Sequence, residues 1–164
     1  QKALEDYTLK KMRTELDSAN MIIKSLLGVE PVSFGYPCGQ KYVGRGKKTK
    51  SYIPLISKMF ESGRGWLDEA PNDPSYCDMA KLYGMELDGK SFEQVLKIIE
   101  TAKSQGGWII FAGHEMNEGG NQTSLLTTIE AICQYATDPA NGIWIDNVHN
   151  VAAYVNTVRT GGYR

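Results

Sequence analysis

The sequence is poor in the side chains from which metal centres, disulfide frameworks and membrane spans are built. Only two histidines occur in its 164 residues, His114 and His149. Its three cysteines, Cys38, Cys77 and Cys133, are odd in number, far apart and in no Cys-x-x-Cys pair. That argues against a zinc knuckle and against a disulfide framework, and it leaves the redox compartment open. No apolar run approaches the roughly 20 residues of a spanning helix. Net charge is scarce as well: eighteen basic side chains face nineteen acidic ones, which leaves −1. No global field therefore favours nucleic acid or an anionic membrane, and neither is expected as a partner. The chain opens on Gln1 with no signal peptide, so a processed product or an excised piece is expected.

What remains has the make-up of one globular domain. Hydrophobic residues are 41% and charged residues 23% of a chain long enough to bury a core. Leu9, Met12, Leu16, Ala19, Ile23 and Leu26 step by three and four, which predicts an amphipathic helix that Gly28 stops. Asp6 with Lys10, and Lys11 with Glu15, can pair across one turn. Val32–Tyr36 reads as a short strand closed by Pro37. Ser51 can cap a helix running to about Phe60. Short strands are expected near Gly63–Leu67 and Leu82–Leu87, and Ser91 opens a helix with Glu93 and Gln94 in its first turn. Trp108–Ala112 follows as a buried strand. Thr123–Tyr135 is a helix, Gly142–Ile145 a last buried strand, and Val148–Val158 a last helix. This alternation favours a mostly parallel sheet, open or curled into a barrel.

Several motifs are candidates for chemistry. The apolar strand ending at Ala112 delivers His114 at its carboxyl end, where parallel sheets present catalytic groups. His114 is thus a candidate acid, base or ligand, the alternative being a loop-capping histidine. Gly39, Gly44 and Gly46 with Lys47 and Lys48 lack the Gly-Lys-Ser/Thr of a phosphate loop. Lys41, Arg45, Lys47, Lys48 and Lys50 form a basic cluster whose plain reading is a solvated loop. Asp146, three residues before His149, reads as a helix cap or, with His114 and Glu115, as part of a metal site. Glu115 or Glu118 with Asp146 could instead flank a glycosidic bond.

Phe34-Gly35-Tyr36-Pro37-Cys38-Gly39, Ser62-Gly63-Arg64-Gly65-Trp66, Trp108 to Glu115, and Gly142–Asp146 with the helix after it come in an order that resembles the polysaccharide deacetylases, the NodB-type carbohydrate esterases. The resemblance runs from about residue 5 to 159. It implies an α/β fold of parallel strand–helix alternation, an incomplete or distorted (β/α) barrel over a single domain, 1–164. It implies hydrolysis of N- or O-acetyl groups on a carbohydrate polymer or oligosaccharide, in an extracellular or periplasmic setting. His114 would be the catalytic acid, with Asp68 or Asp73 as the carboxylate behind it. Tyr36, Pro37, Arg64 and Trp66 would line the substrate groove, although Tyr36 and Trp66 read equally as packed core aromatics. The family's Asp-Asp pair and His-x-x-x-His motif do not precede the first helix, and Gly35 stands where many members carry Arg. The divalent metal, zinc or similar, is therefore expected only in the complete domain and not in this segment, which alone is expected to be inactive. A missing amino-terminal part or a second chain is expected to cover its open edges. The other readings are a glycoside hydrolase using Glu115 or Glu118 with Asp146, and a non-catalytic carbohydrate-binding remnant.

Overall fold

The computed structural model describes residues Leu4–Gly161. The chain divides into two compact units, Gln1–Gly65 with Asp78–Leu82, and Trp66–Cys77 with Tyr83–Arg164.

The first unit opens with helix α1, Leu9–Leu27. Thr8 caps it by accepting the Lys11 N–H, and Gly28 ends it at φ +71, a left-handed stop without a Cβ penalty. Only the first half of its apolar stripe is covered: Met12 and Leu16 are buried, while Ile22, Leu26 and Leu27 are exposed. The pairings across its turns also differ from those expected. Asp17 takes Arg13 at 2.8 Å, and Asp6 takes Arg45 at 3.1 Å. Strand β1, Ser33–Gly35, is followed by β2, Tyr42–Val43, and β3, Lys50–Ser51, an antiparallel pair. Helix α2, Ile53–Met59, carries Pro54 in its first turn, with Ser51 Oγ accepting the Ile53 N–H. Strand β4, Ser62–Arg64, then runs parallel to β1 with Gly35 opposite Arg64. Met12, Leu16, Tyr36, Val43, Tyr52, Ile56 and Phe60 form the core of this unit. Phe34 and Tyr36 meet edge to face at 5.1 Å within it.

The second unit is built on β5, Met85–Glu86, helix α3, Phe92–Ser104, and β6, Phe111–Ala112. β5 and β6 run parallel, with Glu86 opposite Ala112. Ser91 and Gln94 close the capping box read from the sequence. Strands β7, Glu115–Asn117, and β8, Thr123–Leu125, pair parallel across a five-residue loop. Helix α4, Leu126–Thr137, packs Ile132 against Val95 and Ile99 of α3. Its sequence reading placed Thr123–Leu125 inside the helix, but these three residues form β8 instead. Asn72, buried, exchanges backbone hydrogen bonds with Trp108 and uses its side chain on Tyr83 and Trp108. It thereby satisfies backbone groups at a place where no regular ladder does.

Gly142–Ile145 was expected as a closing strand. Among the described residues it joins no sheet. Gly142 turns through φ +61, and Ile143 packs into the core beside α3 and α4. Trp144 stays half exposed, edge-on to Tyr154 at 5.2 Å. Helix α5, Val148–Arg159, is capped by Asn147, whose side chain accepts the Asn150 N–H. Asp146, the cap expected from sequence, stands one residue too early and accepts from Asn147 N–H and the Asn150 amide.

The protein is thus a mixed α/β chain with parallel strand pairs and, among the described residues, no closed barrel. No helix among them is long and apolar enough to cross a membrane.

Candidate active site around His114 and Asp88

Parallel register explains the site. Glu86 and Ala112 are opposite, so the residues two further along each chain, Asp88 and His114, leave the sheet side by side. His114 Nδ1 lies 2.6 Å from Asp88 Oδ2, and its backbone N–H donates to Asp88 Oδ1 at 3.2 Å. Ser124, buried on β8, donates its hydroxyl to the same Oδ1 at 2.7 Å. The Asp88 side chain is 7% exposed and the His114 ring 38%. One end of the pair is sealed in protein and the other meets solvent.

Burial alone would push the Asp88 carboxyl up. The hydrogen bonds from the His114 ring, the Ser124 hydroxyl and the His114 backbone outweigh it, and the group ionises below the ordinary carboxylate range. An ionised carboxylate only accepts hydrogen bonds, so Nδ1 carries the hydrogen and Nε2 is left as the working nitrogen. Trp66 meets the imidazole edge to face at 4.8 Å, with its own Nε1–H buried and without a hydrogen-bond partner among the described residues.

The carboxylate behind His114 is therefore Asp88 rather than Asp68 or Asp73. Asp68 accepts the Gly84 N–H, and Asp73 accepts from Ser75 in a local turn. Ser124 was not singled out by sequence either. Its hydroxyl sits on the carboxylate and not on the imidazole, so the contacts run Ser124–Asp88–His114 and do not make a serine nucleophile.

Of the expected groove residues, Trp66 joins His114 in the second unit, while Tyr36, Pro37 and Arg64 belong to the first. Tyr36 takes the core reading: its ring is 2% exposed and its hydroxyl donates to Ala80 O at 2.7 Å. Pro37 is exposed in the turn after β1. Arg64 lays its guanidinium over Gly35, with an NH group 3.3 Å from where a Cβ would stand. Glu115 and Glu118 are exposed on and after β7, and the Asp146 carboxylate is engaged at the start of α5.

The donor set does not fit the divalent ion that the resemblance implies. The implied ligand set needs two histidines, and with the Nδ1 of His114 held by Asp88 only His149 is left. Among the described residues no group of three or more His, Cys, Asp or Glu side chains could hold a metal ion. The chemistry open to these residues is proton transfer at His114 Nε2.

Comparison with protein-family models, curated proteins and solved structures finds no match to this chain.

Proposed function

We propose that this chain carries the proton-transfer machinery of a hydrolase that removes N- or O-acetyl groups from a carbohydrate polymer. The observation that carries the reading is the half-exposed His114 backed by the sealed, ionised Asp88. That is how a histidine is set up to gain and give a proton at one defined nitrogen. When water has added to the acetyl carbonyl, the carbon–nitrogen or carbon–oxygen bond to the sugar must break. His114 Nε2–H hands its proton to the departing nitrogen or oxygen, and Asp88 supports the imidazolium that exists before the transfer. Trp66 fixes the ring from the side.

The four ordered segments that resemble the polysaccharide deacetylases supply the substrate class. In this reading the fold is an incomplete or distorted (β/α) barrel, and the parallel pairing of β1 with β4 and of β5 with β6 supports it. Gly35 replaces the family's common Arg, and Arg64 from the neighbouring strand restores a cation over that position. Trp66, which packs on the His114 ring, is the residue we assign to sugar contact.

Acetate release from N- and O-acetylated oligosaccharides, assayed on the full gene product with a divalent ion supplied, tests the reading. His114→Ala should lower turnover roughly 10²–10⁴-fold and leave substrate affinity within a few-fold. An unchanged rate would remove His114 from the chemistry. Release of no acetate, with oligosaccharide binding retained, would favour a carbohydrate-binding protein without catalysis.

A further inference from the structure

The basic cluster read from sequence as a solvated loop is largely exposed, and its tightly turned backbone lines a cavity. Between Glu30 and Glu61 there is no acidic residue, while six basic ones occur there. Five of those six lie in residues 41–50. The loop from Val43 to Lys50 is tightly turned. Gly44 adopts φ +83, and a Cβ there would stand 2.5 Å from Lys48 O. Gly46 adopts φ +53, and the Lys48 N–H closes the turn on Arg45 O at 2.9 Å. Arg45 then pins the loop to the segment before α1, reaching Glu5 at 3.2 Å and Asp6 at 3.1 Å.

The result is a cavity of about 720 Å³ lined by Lys10, Lys47, Lys48 and Lys50 around the Arg45 anchor. With Glu5 and Asp6 counted, five cations face two carboxylates in a chain whose net charge is −1. Both carboxylates are already engaged by Arg45, so the four lysines are the cationic lining residues left for an incoming anion.

We propose that this cavity is an anion-binding subsite that takes the carboxylates of an acidic oligosaccharide. The proposal rests on the carbohydrate reading above for the polymer and on charge complementarity for the acid groups. Ammonium groups on flexible stems can follow carboxylates spaced along a sugar chain, while the one guanidinium fork is spent on Glu5 and Asp6. Bases would find little to stack on, because Tyr7 is the cavity's one aromatic ring and Lys11 lies over it at 4.1 Å.

Calorimetric titration with tetragalacturonate and with its fully methyl-esterified form tests this directly. The acid form should bind with an affinity that falls as salt rises, and the ester should not bind. Lys47→Gln/Lys48→Gln should weaken binding roughly tenfold, whereas Lys58→Gln, outside the cavity, should change nothing. Equal binding of the ester, an unaffected double variant, or tighter binding of an oligothymidylate of equal charge would each overturn the proposal. His114→Ala should retain tetragalacturonate binding. A wild-type protein that binds tetragalacturonate but releases no acetate from acetylated oligosaccharides would therefore sink the hydrolase reading and leave this subsite standing.

Discussion

Asp88 accepts three hydrogen bonds, from the His114 ring, the His114 backbone and Ser124, in a pocket almost closed to water. Its carboxyl ionises below the ordinary range, so the folded state binds fewer protons there than the unfolded chain does. The contribution is complete above the unfolded value, near about pH 4, and is lost as pH falls through the lower folded value. Urea unfolding of the wild type should therefore lose stability more steeply below about pH 4 than Asp88→Asn does. Parallel pH profiles would contradict this assignment. Gly113 is the other residue on which the pair depends. A Cβ there would overlap Ser124 Oγ and stand 2.8 Å from Asp88 Oδ1. Gly113→Ala should cost about 1–3 kcal/mol by overpacking, read from urea midpoints. Gly119→Ala, whose Cβ would meet nothing within 4 Å, should stay within about 0.5 kcal/mol.

At the scale of elements, the five α-helices among the described residues were the most legible. Their periodic apolar positions and the Ser91 box are local signals, and each reappears in the structure within a few residues of the reading. Strand extents were less so. Trp108–Ala112 contributes only Phe111 and Ala112 to a ladder, because Trp108 pairs instead with Asn72 in an isolated bridge. Gly142–Ile145 has the composition of a strand but takes up no partner among the described residues, and composition cannot supply one. The start of α5 tests how finely caps are set. Asn147 satisfies a helix N–H, whereas Asp146 braces the turn before it. Asn147→Ala should cost about 1 kcal/mol in thermal or urea unfolding, more than Asp146→Ala does. The reverse order would return the cap to Asp146.

At the scale of the whole molecule, the site was half legible. His114 could be found because it directly follows an apolar run that ends in Ala112-Gly113. Asp88 could not, because Leu87-Asp88-Gly89 reads as an ordinary turn and its role depends on β5 pairing with β6 across 26 residues of sequence. The signal, once the pairing is known, is equal offset: both residues stand two past their strands. Asp68 and Asp73 lay closer to Trp66 in sequence, but Asp68 accepts the Gly84 N–H and Asp73 the Ser75 N–H of its own turn. Tyr36, Pro37 and Arg64 fall in the other compact unit, where Tyr36 serves the core.

The central claim is that Asp88 holds His114 by Nδ1 and leaves Nε2 to do the work. With only two histidines in the chain, long-range proton–nitrogen correlation spectra of the ¹⁵N-labelled protein can report each ring separately. In its neutral form the wild-type ring should be the Nδ1–H tautomer, and Asp88→Ala should shift it toward the Nε2–H form that free imidazole side chains favour. An Nε2–H tautomer in the wild type, or a spectrum unmoved by Asp88→Ala, would contradict the pairing and the proton-transfer role built on it.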